Sequence, residues 1–182
     1  MARATVAHYL HDLGLSAWFG GTLANAVALN RAASEAHDAR RVGAVANAGW
    51  DAWTPVNAAA IGLHVAGSVG LLQHDLGRMA AQKGVGRMAA LKTALTVGAL
   101  GVTAYSRILG RKVSERSDPP VASGTEPAST TPPEVAKAQQ QLRVLQWAVP
   151  ALTGALVAVS AFANEQYRPE EVHRGVMQRV LG

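Results

Sequence analysis

Apolar residues in this chain fall into four long runs, at 13–30, 54–72, 89–108 and 144–163, with most charges gathered between them. The first run carries no formal charge and ends at Arg31. A helix rises about 1.5 Å per residue, so roughly 20 apolar residues match the hydrocarbon thickness of a bilayer. The pattern therefore predicts an all-α fold: a four-helix transmembrane bundle in a single integral membrane domain, with a disordered loop between helices three and four.

Within the runs, small residues recur at helical spacing. Gly14, Ala17, Gly21, Asn25 and Ala28 form one stripe in the first run; Gly62, Ala66 and Gly70 form another in the second. Ala94 with Gly98, and Gly154 with Ala158, repeat the device in the third and fourth. Such stripes let helix backbones approach closely in lipid, where packing drives association. Asn25 would be costly facing lipid and acceptable facing a neighbouring helix.

The connections have their own signatures. Residues 31–50 mix charges with alanines and predict a short surface helix, after which Thr54 and Pro55 read as an N-cap followed by the first helical position. Trp50 and Trp53 suit an interfacial aromatic belt. Residues 117–133, SDPPVASGTEPASTTPP, hold five of the eight prolines and predict a flexible linker. Pro150 lies one turn inside the fourth run. Residues 169–181 predict an interfacial amphipathic tail, with Val172, Val176 and Val180 at helical spacing. A rival reading of the N-terminus is a signal peptide cleaved after Ala24-Asn25-Ala26, opposed by His8, His11 and Asp12 ahead of the apolar run.

Charged residues make up 16% of the chain, against about 25% in a typical soluble domain. The formal charge of +5 sits at the ends of the runs, where it meets anionic headgroups and not nucleic acid. These features place the chain in the cell membrane as a multi-pass protein with the bilayer as its partner. Arginine outnumbers lysine amid abundant alanine and glycine, a bias that resembles a bacterial proteome. The absence of cysteine excludes disulfides, thiolate catalysis and zinc fingers. Four spans put both termini on one side, and basic residues divide almost evenly between the two sides, so orientation stays open.

Few positions could carry chemistry. His64 lies near the middle of the second run, where an ionisable group normally faces the bundle interior. Trp53, Asn57, His64 and Ser68 share a face with it, and Asn25, Asn57, His64 and Ser68 form the intramembrane polar set. Topology gathers His8, His11, Asp12, His74, Asp75, Lys92 and Glu165 at one membrane rim. Imidazole and carboxylate together suit haem iron or a divalent metal. His8, His11, Asp12 and His74 are the candidate metal ligands, and His11 with His74 could bridge a haem at equal depth. His64 is expected roughly 15 Å deeper than His74. No phosphate-binding glycine loop is present, Ser16 and Ser68 lack a nucleophile-elbow context, and no catalytic residue is assigned.

The run HDLGLSAWFGG at 11–21 resembles the first helix of the copper-resistance protein D-like group and of the J-type protoporphyrinogen oxidases, where a histidine precedes a tryptophan-glycine pair. That resemblance implies His11 and Lys92 as haem contacts. NAGWDAWTPVN and KTALTVGALGVTAYSRILG resemble segments of actinobacterial four-span integral membrane proteins, a likeness that implies the fold and no activity. The leading expectation is a non-enzymatic membrane protein, an accessory or oligomer-forming subunit of a membrane complex. The alternatives are a haem- or metal-binding redox protein and a small transporter or channel with His64 in its path.

Overall fold

The computed structural model describes residues 2–36, 38–115, 120–165 and 168–181. It is mostly helical. Helix α1 (Ala2–Ala24) continues through a π-helical turn (Asn25–Leu29) into the short α2 (Asn30–Ser34). Then come α3 (Ala39–Ala81), α4 (Val85–Ser114), a hairpin of β1 (Val121–Ser123) and β2 (Glu126–Pro127), α5 (Pro133–Glu165) and α6 (Pro169–Leu181). By length and composition, α3, α4 and α5 are apolar enough to cross a membrane. Helix α1 is not among them. These long apolar helices point to a membrane protein.

Helix α3 absorbs the stretch expected to be a separate surface helix. The start signal sits earlier than Thr54: the Asp38 side chain accepts from the Arg40 backbone N–H at 2.9 Å and caps α3 there. Thr54 turns its hydroxyl back onto the Trp50 carbonyl at 2.9 Å, and Pro55 is inside the helix. A proline there leaves one carbonyl unpaired, yet the helix runs on through it. The turn into α4 is made by Gly84, whose φ of 95° lies in the left-handed region that glycine alone enters freely.

The helices form two tight antiparallel pairs. Helix α1 packs on α3, and α4 packs on α5 through Leu109, Val113, Val135 and Ala138. The pairs join where Phe19 of α1 meets Gly154 of α5, and around a core of Trp18, Ala60, Ala99 and Val149. Between α3 and α4 contact is sparse, apart from the level where Ile61 and Leu100 pack against that core. Apolar side chains such as Val69, Leu72, Val97, Ile108, Val144 and Phe162 remain on the outside. Water penalises such a surface, whereas lipid accepts it.

The connection expected to be disordered carries a hairpin at 121–127 and stays without helix or strand at 128–132; residues 117–119 lie outside the described residues. Val121 is buried, the Gln139 amide donates to the Ser123 carbonyl at 3.2 Å, and Gly124 fits against Asn30 and Ala46. Proline-rich composition alone suggested freedom; side chains from α2, α3 and α5 remove it. Helix α6 docks on the α3–α4 turn, where the Lys83 N–H donates to the Gly175 carbonyl at 3.2 Å.

Candidate functional site: a buried histidine pair between two cavities

The α1–α3 contact is a reciprocal arrangement. Ala7, His11 and Gly14 on α1 repeat the spacing of Ala60, His64 and Gly67 on α3. A methyl group added to Gly14 would collide with the backbone of His64 and Ala60; one added to Gly67 would collide with the backbone of His11 and Ala7. Each glycine thus admits the turn that carries the other helix's histidine, and the two backbones touch. Further along, Gly21 receives the ring of Trp53. Gly14 and Gly21 of the first predicted stripe therefore meet α3. The stripe predicted on α3 is partly out of phase: Gly62 and Ala66 are exposed while Gly70 meets Ala7 of α1, and Ala60, His64, Gly67 and Leu71 form the buried face. The π-helical turn at Asn25–Leu29 then rotates the α1 face, leaving Ala28 exposed and Asn25 half-buried with Nδ2 unpartnered.

This register decides which histidines meet. The rings of His11 and His64 lie 4.6 Å apart at 51°, and Trp18 lies 6.0 Å from His64. His11 and His64 are both fully buried. His11 Nδ1 bonds the Asp12 carboxylate at 2.7 Å; because the carboxylate only accepts, Nδ1 carries the proton and Nε2 holds a buried lone pair without partner. His64 Nδ1 donates to the His11 carbonyl at 3.3 Å, and Nε2 accepts from the Thr96 hydroxyl at 3.3 Å. Ser68 donates to the His64 carbonyl at 2.8 Å. His64 therefore ties α1, α3 and α4 together.

The anticipated pairing of His11 with His74 does not form. With Gly67 seated on His11, His74 lies seven residues further along α3, about 10 Å along the axis. Its side chain is exposed beside Asp75 at 3.4 Å. His64, expected to lie far from the rim histidines, is the one in contact with His11. The direct contact of those two rings leaves no room for a macrocycle between them. Glu165 lies exposed at the end of α5, paired with Arg168 at 2.8 Å. Among the described residues, no group of three or more His, Asp or Glu side chains is arranged to hold a metal ion, so His8, His11, Asp12 and His74 are not drawn into one ligand set.

The sparse α3–α4 contact leaves a cavity on each side of the Ile61–Leu100 level. One, of about 310 Å³, is lined by His8, His11, Ser68, Asp75, Lys92 and Thr96. It gathers much of the expected rim set, without His74. The other, of about 280 Å³, lies between the first half of α3 and the last half of α4. Trp50, Trp53, Asn57, Thr103 and Arg107 line it, and the hairpin residues Gly124 and Thr125 contribute to one end. Asn57, grouped in sequence with His64 and Ser68, is thus separated from them by the core layer.

Several of these second-cavity residues were not candidates by sequence. Arg107 pairs with Asp51 at 2.8 Å. Asn30 is buried, donating to Gln146 at 2.6 Å and accepting from the Trp50 indole at 3.2 Å, which fixes α2 against α3 and α5. A readable signal was the i, i+4 spacing of Thr103 and Arg107, matching that of Trp53 and Asn57. No protein family, curated protein or solved structure matches this chain.

Proposed function

We propose that the chain is a multi-pass protein of the cell membrane that crosses the bilayer four times and serves as a non-enzymatic subunit of a membrane complex, as an accessory protein or an oligomer of itself. The observation that carries this reading is the use made of His64. Among the described residues it is the ionisable side chain buried most completely, and both ring nitrogens are engaged in bonds between helices. A buried polar side chain so used fixes which helices pair and in which register. The outward apolar faces of α3, α4 and α5 supply lipid contact and the surface on which other helices pack.

Absence of cysteine makes each introduced thiol a unique reporter. Single cysteines at Ala4, Ser34, Lys83, Ser123 and Val180 can be labelled from either side of sealed vesicles. Four spans require Ala4, Lys83 and Val180 to label from one side and Ser34 and Ser123 from the other. Labelling of Ala4 and Ser34 from the same side would remove α1 as a span. For the subunit role, lipid-phase crosslinking from cysteine at Val97 or Phe162 is expected to trap a defined dimer or heteromer. Purely monomeric protein, or turnover by the purified chain, would refute it.

A second reading has one observation behind it. The two cavities flank the core layer, and His64 lies on the side of the first, bonded to Thr96 of its wall, where a path through the bundle would pass. On that reading His64→Ala changes ion or proton flux in liposomes; identical flux in vesicles with and without the protein eliminates it.

A further inference from the structure

The cavity on the His64 side of the core is a groove between α3 and α4 with a graded lining. His8, Asp75 and Arg78 lie at its turn end, and Val65, Val97 and Leu100 lie deeper. On α4 it runs from Val85 to Leu100, about 22 Å of helix. One leaflet of a bilayer with its headgroups has nearly the same depth, half of about 40–45 Å. Val69, Leu72 and Val97 line the groove and are exposed, so it opens sideways to lipid. Polar groups at the end and aliphatic ones inside follow the order met along a lipid, from head to chain.

Lys92 sits between the two zones, one turn inside the third apolar run. It is half-buried, and its ammonium keeps accessible surface but makes no hydrogen bond or ion pair with a described residue. The carboxylates nearby are engaged elsewhere. Asp75 pairs with Arg78 at 3.3 Å, and Asp12, 56% exposed, accepts from His11 at 2.7 Å. The formal charges lining the groove are thus two cations, Arg78 and Lys92, against one carboxylate. A lone ammonium at this depth is costly in an apolar medium, and an anion beside it offsets that cost.

We propose that the groove holds one anionic phospholipid of the bilayer, with its phosphate on Lys92 and an acyl chain along Val65, Val97 and Leu100. Charge and shape select this occupant together. Inorganic phosphate answers the lysine and leaves the aliphatic walls empty. Phosphatidylcholine fills the walls, but its own quaternary amine already balances its phosphate. The inference rests on α3 and α4 lying in the bilayer and not on the subunit role.

Native mass spectrometry tests it on the full chain in a nonionic detergent, titrated with dioleoyl phosphatidylglycerol, dioleoyl phosphatidylcholine or oleate. One phosphatidylglycerol is expected to bind at least about tenfold more tightly than phosphatidylcholine. Lys92→Gln should erase that preference, whereas Lys83→Gln, an exposed lysine of the α3–α4 turn outside the groove lining, should leave it. Equal affinity for the two phospholipids, tighter binding of oleate than of phosphatidylglycerol, or equal losses from the two lysine variants would each overturn the proposal. Should Lys92→Gln fail to fold, Lys92→Arg is expected to keep the preference and Val97→Trp, at an exposed position on the groove, to lose it; the reverse pattern overturns the proposal as well. Flotation with vesicles tests membrane insertion separately, so a chain that floats yet shows no preference defeats this inference alone.

Discussion

Helix α3 carries two interfaces built on opposite rules. Towards α1 it presents Ala60, His64 and Gly67, and the backbones meet so closely that neither glycine tolerates a methyl group. Towards α4 it presents larger side chains such as Asn57 and Ile61, and two cavities open on either side of a single packed layer. Side-chain size explains the difference. Small residues bring helix axes together and leave no space; larger residues hold them apart and line whatever space remains. The first interface holds the fold, and the second leaves open space between its helices.

The comparison can be broken at several points. The largest effect is expected from Gly67→Leu, since the collision is with backbone that cannot move aside. A loss of about 3 kcal/mol or more in detergent unfolding is expected, with little change from Gly62→Leu, whose Cβ would meet nothing within 4 Å on an exposed face. Equal effects at the two glycines would mean that α1 and α3 do not pack in this register. His64→Ala should cost about 2–4 kcal/mol by removing bonds to α1 and α4 and leaving a hole. Retention of native stability would take the histidine out of the structural account.

Asn30→Ala comes next, at about 1–2 kcal/mol, because it strips partners from both Gln146 and Trp50. Elastase cleavage of the hairpin region, after Val121, Ala122 or Ala128, gives an independent readout of the same loosening. Thr103→Val should have the opposite sign. Removing a buried hydroxyl without partner at nearly constant shape should leave the ligand-free protein unchanged or stabilise it by up to about 1 kcal/mol. Destabilisation there would imply a partner for that hydroxyl. The smallest effect belongs to the Asp51–Arg107 pair, half exposed on the acid side: Asp51→Asn should shift stability by no more than about 0.5 kcal/mol, measured at low and high salt.

Much of the architecture was legible from hydrophobic patterning. Long apolar helices, the stripe through Gly14 and Gly21, and the burial of His64 all follow from periodicity and from what each residue type costs in an apolar medium. The phase of α3 was not legible. Gly62, Ala66 and Gly70, four apart, and Ala60, His64 and Gly67, four and three apart, are both helical spacings, and single-helix periodicity cannot say which set meets a neighbour. The repeated Ala-x-x-x-His-x-x-Gly at 7–14 and 60–67 held that information, but its meaning depends on two helices being read together. The continuity of α3 through Pro55 was hidden for a related reason: Asp38 supplies a cap further upstream, and packing carries the helix past the missing donor.

Sequence by itself determined that this chain is helical and largely apolar, that its small residues permit close helix contact, and that a few polar side chains must be buried. Those are local consequences of residue type and spacing. Only the tertiary structure decided that His11 meets His64 and not His74, that the proline-rich connection folds into a hairpin on Asn30, and that Trp53 and Asn57 of α3 line one cavity with Thr103 and Arg107 of α4. Each of these depends on the register between segments far apart in the chain, and register is set by which glycine fits which backbone once both helices are in place.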